Sequence, residues 1–154
     1  MKSKKIKSDS ILTGVAGEYF VGAELTKRGY IASITLRNTK GIDILVSNRK
    51  ATKSAGIQVK STRYSNARVW ILNEKAEKYF ADNLFYVFVN LKEGDQRPDF
   101  FIAPSKIVAR FITKSHKKWL KKPNKAGGKH KNSPMRKFED RNKTYFERWD
   151  LLAL

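Results

Sequence analysis

A chain of 154 residues is long enough to bury one core without a disulfide or a structural metal. It contains no cysteine, which excludes disulfides, thiolate metal sites and cysteine nucleophiles and leaves His116 and His130 as the imidazoles. Thirty-three Lys and Arg against fourteen Asp and Glu give a net charge of +19, while 40% hydrophobic and 12% aromatic residues exclude a disordered polycation. So large an excess calls for an anionic partner. Nucleic acid is the leading reading, with an anionic membrane surface or an acidic protein as lesser ones. Apolar runs such as residues 84–91 are too short to span a bilayer, and no signal-peptide apolar region follows the Lys-rich start. The expected compartment is the cytoplasm.

Residues 1–10 read as a flexible basic start in which Ser8, Asp9 or Ser10 is available to cap a helix. That helix is expected from Ile11 to about Arg28, closed by Gly29, with Ile11, Val15, Glu18, Gly22 and Leu25 at the spacing of one inward face. Residues 30–36, 42–46 and 56–61, rich in Ile and Val and joined by short connections, predict three strands in an antiparallel meander. A short strand over residues 69–72 and a helix over 73–82, carrying Ala76, Tyr79 and Phe80, follow. Residues 84–91 form a buried strand, residues 93–98 a turn and residues 100–103 another strand.

Ser105 then caps a helix expected to end near Thr113, which closes a core of residues 11–113. In residues 114–137, ten of twenty-four are Lys or Arg, interrupted by Pro123, Gly127, Gly128 and Pro134, which reads as a basic loop, either mobile or ordered by phosphate. Residues 138–154 regain apolar character and predict a C-terminal helix packed on the core through Phe138, Tyr145, Phe146, Trp149 and Leu152. The expected fold is α/β, a mixed sheet flanked by helices in one domain.

Three breaks in this pattern bear on chemistry. Glu18 stands in an apolar helix stripe, Asp43 interrupts the strand 42–46, and Gln58 and Lys60 alternate with Ile57 and Val59, so both face one side. If the second and third strands form a hairpin turning near Ala51 and Thr52, Asp43 lies across from Gln58 or Lys60 on the same face. Such a cluster suits phosphodiester hydrolysis by a hard divalent cation. Asp43 would be the central ligand, with Glu18, the Gln58 amide oxygen and the Val59 backbone carbonyl completing the shell, and Lys60 would orient water or offset charge developing on phosphate. The ion expected is Mg²⁺, with Mn²⁺ as a substitute. Glu24, beside Lys27 and Arg28, reads instead as a solvated ion-pair carboxylate.

In order and spacing these elements resemble the PD-(D/E)XK nuclease superfamily, the restriction-endonuclease-like fold, over roughly residues 14–62. GEYFVGAELTKRGY carries Glu18 where the family has its first-helix glutamate, GIDILV carries Asp43 at the metal aspartate, and IQVKS carries Gln58 and Lys60 at the (D/E)XK element. The resemblance implies an αβββαβ core acting as a DNA endonuclease. The layout is similar to small archaeal-type Holliday junction resolvases, which would make the protein a homodimer. Two departures stand out: Gln58 replaces the acid of the motif, and Gly41 and Ile42, with no proline, precede Asp43. The first removes a negative charge from the cation site, so the alternative is a non-catalytic nucleic-acid-binding protein or partner subunit of the same fold.

Lys117, Lys118, Lys121, Lys122, Lys129 and Lys131 are the candidate phosphate contacts, with DNA the expected partner and RNA left open. Trp119 reads first as an anchor to the body and second as a platform for a base. Trp70 and Trp149 read as core, and neither histidine has metal-ligand spacing.

Overall fold

The computed structural model describes residues 9–36 and 39–154. Most of the basic start, residues 1–8, lies outside the described residues. Helix α1 (Ser10–Lys27) begins where the Asp9 side chain accepts the Ile11 N–H at 2.8 Å, and the chain leaves it through Gly29 at φ +87°, a left-handed conformation that favours glycine.

The buried row of α1 is Thr13, Gly17, Val21 and Leu25, which shares only Leu25 with the expected row, and Ile11 is 61% exposed. The sequence misplaces the phase because α1 is apolar on both sides, with Leu12, Tyr19 and Phe20 facing outward. Gly17 is the position that needs to be glycine, since a Cβ there would collide with the Ser61 side chain. The helix therefore lies directly on the third strand, and the Ser61 hydroxyl is buried beneath it with no hydrogen-bond partner among the described residues.

The meander is present as expected. β1 (Ile31–Ile34), β2 (Ile44–Ser47) and β3 (Ser54–Thr62) pair antiparallel in succession. The Asn48 side chain holds the β2–β3 turn by accepting the N–H groups of Thr52 and Lys53. β4 (Val69–Asn73) leaves the sheet, the chain makes a 3₁₀ turn at Glu74–Glu77, and β5 (Leu84–Asn90) returns parallel to β3. β6 (Asp99–Pro104) adds antiparallel to β5, so the sheet order is β1-β2-β3-β5-β6. The helix expected over residues 73–82 is only that 3₁₀ turn. Its apolar residues do not share a face: Ala76 is buried, Tyr79 packs against Gly41 and Phe80 is left exposed.

Helix α2 (Ser105–Lys121) runs eight residues beyond Thr113, so the first third of the expected basic loop is helical. Val108, Ala109 and Ile112 bury its first half, and the Lys-rich second half continues the same helix outward. Residues 123–129 form a tight turn in which Asn124 Oδ1 accepts the Ala126 and Gly128 N–H groups. Beyond it, β7 (Met135–Glu139) pairs antiparallel with β4 in a small second sheet. Phe138 is thus on a strand rather than a C-terminal helix, and the alternation of buried Arg136 and Phe138 with exposed Met135 and Lys137 is the period-two signal for it. The helical content of the last segment is a 3₁₀ turn at Trp149–Leu152.

Two apolar layers result. Val21 and Leu25 of α1, with Trp149 and Leu152, cover Ile57, Val59 and Val87 on one face of the main sheet. On the other face Val108 and Ile112 of α2 and Trp70 and Phe138 of the small sheet cover Tyr86, Phe88 and Phe101. Among the described residues, no helix is long and apolar enough to cross a membrane.

Candidate active site where β2 and β3 part

Alternation along β3 decides which of its side chains are available. Ile57 and Val59 point into the layer under α1, while Gln58 and Lys60 take the opposite face, in register with Tyr86 and Phe88 of β5. Helix α2 packs over β5 and β6 but not over β2, and Leu45, on the same face of β2, is 52% exposed. The face that carries Gln58 and Lys60 is therefore open on the β2 side.

The β2–β3 ladder runs from Ser47 opposite Ser54 to Ile44 opposite Ile57, and stops there. Asp43 is the next residue outward and shares the face of Gln58. Its backbone is fixed from both flanks: its N–H donates to the Ile57 carbonyl at 2.8 Å, and its carbonyl accepts the Thr35 N–H at 2.9 Å. The Thr35 hydroxyl adds a bond to the Ile42 carbonyl at 2.7 Å. Where a backbone carbonyl would continue the ladder, the Asp43 carboxylate instead accepts the Val59 N–H at 2.7 Å. N–H and C=O of one strand residue point to the same edge, so the Val59 carbonyl also faces this gap.

Burial pushes the Asp43 carboxyl above its ordinary value, against the opposing effects of the Val59 N–H and the positive charge of Lys60. Burial, with smaller contributions from Tyr79 and Asp43, pushes the Tyr86 hydroxyl up to about 12. The Gln58 amide and Lys60 ammonium, both half-buried, make no hydrogen bond or ion pair among the described residues. Both groups are thus open to water or to a ligand.

The structure thus brings Asp43, Gln58, Lys60 and the Val59 backbone together. Glu18 is carried by α1 on the other side of the sheet. It is half-buried and follows Gly17, which lies against Val59 and Ser61, so its backbone adjoins the same strand. Among the described residues no three His, Cys, Asp or Glu side chains gather as a metal cage. The donors near Asp43 are one carboxylate, one amide oxygen and one carbonyl, an all-oxygen set that fits a hard cation such as Mg²⁺ and is low in charge.

Thr35 is the contributor that the sequence conceals. A polar residue just past a strand carries no signal that its N–H and hydroxyl will hold the chain at Asp43. Of the candidate phosphate contacts, Lys117, Lys118 and Lys121 lie on α2 and Lys122, Lys129 and Lys131 on the turn after it, all exposed and away from Asp43 along the chain. Trp119 does not anchor α2 to the body, and the residue is 40% exposed. It is stacked between His116 and His130, with centroids 5.5 and 4.0 Å away, which ties the turn back to the helix.

A bacterial homing endonuclease, I-Ssp6803I, superposes on this chain with a TM-score of 0.56 at 14% identity, over 96% of this chain and 94% of that one. The fold is restriction-endonuclease-like. Hjc, a Holliday junction resolvase from the hyperthermophile Archaeoglobus fulgidus, shares the restriction-endonuclease-like architecture at a TM-score of 0.51 and 13% identity, over 86% of this chain and 88% of that one. No family model and no curated protein matches the sequence.

Proposed function

We propose that this protein is a Mg²⁺-dependent DNA endonuclease whose site is centred on Asp43. The observation that carries the reading is the end of the β2–β3 ladder, where a half-buried carboxylate sits with an amide and an ammonium that make no hydrogen bond or ion pair among the described residues. Asp43, the Gln58 amide oxygen and the Val59 carbonyl would hold the cation, with Glu18 supplying a second carboxylate from α1. When bound, the ion polarises a phosphate and lowers the pKa of a water.

The chain's own groups do the rest. The Val59 N–H and the backbone bonds to Thr35 and Ile57 fix the orientation of Asp43, so no reorganisation is needed during reaction. Lys60, on the same face, places a positive charge beside the phosphate and offsets the negative charge that develops on its oxygens. The net charge of +19 favours encounter with a polyanion, and the two structural neighbours are named a homing endonuclease and a Holliday junction resolvase.

A second reading, a nucleic-acid binder without turnover, is favoured by Gln58 in place of an acid and by the lack of a three-acid cage among the described residues. Nicking of supercoiled plasmid in Mg²⁺ and Mn²⁺ separates the two. The nuclease reading predicts nicking that EDTA abolishes and that both Asp43→Ala and Lys60→Ala suppress. Nicking indifferent to both substitutions rejects the site, whereas salt-sensitive binding with no nicking of duplex, branched or single-stranded DNA supports the second reading.

A further inference from the structure

Helix α2 carries six cations and no carboxylate. At 100° per residue, Lys106, Arg110, Lys114, Lys117 and Lys121 fall within an arc of about 80°, forming one row along the helix. Asp82 pairs with Lys106, but none of the ion pairs among the described residues involves the other four. Like charges three and four residues apart destabilise a helix, so α2 keeps a face that works against its own stability unless an anion covers it.

The row borders a groove of about 620 Å³ that Lys106, Arg110, Lys114 and Lys117 share with Glu77 and Phe80. Arg136 neutralises Glu77, so the groove is cationic. Its Phe80 end is joined through the chain to the candidate active site. Phe80 follows Tyr79, whose ring abuts Gly41 and whose hydroxyl donates to the Lys40 carbonyl at 3.3 Å, and Gly41 is two residues from Asp43.

Successive cations of the row rise by about 4.5 to 6 Å along the helix axis, which is comparable with the separation of neighbouring phosphates on one strand. We infer that the outer face of α2 is a track for the sugar-phosphate backbone of duplex DNA flanking the scissile phosphate. Lys106, Arg110 and Phe80 extend this surface beyond the basic segment 114–137. A single strand is a poorer fit because it needs stacking platforms, and the groove offers Phe80 alone while the Trp119 ring already stacks with His116 and His130. The inference rests on the nuclease reading of Asp43 for its direction, but binding can be measured without cleavage.

The test is fluorescence anisotropy of the full chain in EDTA with a labelled 25-base-pair DNA duplex across a salt series. The triple variant Arg110→Gln, Lys114→Gln, Lys117→Gln is compared with a charge-matched control, Lys27→Gln, Arg49→Gln, Lys50→Gln, both checked by thermal melting. The α2 variant is expected to bind about tenfold or more weakly and to flatten the slope of log K against log salt by about 2 to 3, while the control loses far less. Equal losses in the two triples, or tighter binding of single-stranded DNA or duplex RNA than of duplex DNA by the wild type, overturn the track. If the track holds and metal-dependent nicking is absent, the failure belongs to the Asp43 site and not to α2.

Discussion

At the C-terminal end of α1, Glu24 is clasped by Arg97 through bonds of 2.9 and 3.0 Å and by Arg28, while at the parting of β2 and β3 the Gln58 amide and Lys60 ammonium are left without partners among the described residues. The first cluster closes on itself. Arg97 also binds both oxygens of Glu147, Glu147 accepts the Trp149 indole N–H at 2.9 Å, and the guanidinium of Arg28 lies 4.4 Å from the Trp149 ring centre. Every charge there is spent on joining α1, the loop before β6 and the C-terminal turn. The second cluster holds only Asp43 firmly and leaves the remaining groups available to something outside the chain. Equal polarity at two places is thus closed into architecture in one and, in the proposed function, left for chemistry in the other, and the hydrogen-bond partners separate them.

The largest effect expected of any single change is at Asp43. Asp43→Ala lowers metal-dependent nicking by about 10²-fold or more, read as initial rates, with the fold intact by circular dichroism. Stability moves the other way. Because burial raises the Asp43 carboxyl, the cost of its buried charge is present at neutral pH and is relieved as the pH falls to the ordinary value of 3.8. Asp43→Asn is therefore expected to melt above the wild type at pH 7 and level with it in acid, and a variant that melts lower at pH 7 would show that the carboxylate is a structural asset.

Two changes around Asp43 are expected to be smaller. Thr35→Val keeps shape but loses the hydroxyl bond to the Ile42 carbonyl, and a drop in nicking of about tenfold, with the Mg²⁺ requirement shifted upward, marks positioning of Asp43. Gln58→Glu restores a charge to the donor set and is expected to tighten Mn²⁺ binding by about tenfold. No gain in affinity would mean that Gln58 does not face the cation.

The closed cluster gives the smallest effect, and in a different observable. Glu24→Gln is expected to cost about 1 kcal/mol of stability by urea unfolding, since Arg97 is half-exposed and solvent screens part of the pairing, and to leave nicking unchanged. The hydrogen bond from Arg97 holds Glu24 at about 2, with Arg28 aiding and burial opposing. A lowered carboxyl contributes its stability above the unfolded value of 4.5 and loses it as the pH falls toward 2, so the gap between wild type and Glu24→Gln closes over that window. A gap that persists at pH 2 would point to packing rather than charge.

Much of this was readable from the chain. The meander, the Asp9 cap, the exit of α1 at Gly29 and the shared face of Gln58 and Lys60 all follow from local rules of capping and alternation. The phase of α1 was not, because a helix apolar on both sides does not declare which face is buried until Gly17 meets Ser61. Nor was the full length of α2: its buried residues all lie in the first half, and the Lys-rich second half reads as loop by composition. At the site the sequence pointed to Asp43 through a break in apolar pattern, but the Val59 N–H that replaces a ladder bond, and the hold of Thr35, arise from where two strands stop pairing.

Titration of Mn²⁺ into the wild type and Asp43→Asn by calorimetry needs no knowledge of the DNA substrate. The proposed site predicts saturable binding in the wild type and a loss of about tenfold or more in affinity in the variant. Equal binding to both proteins, or none to the wild type, would contradict a cation site at Asp43.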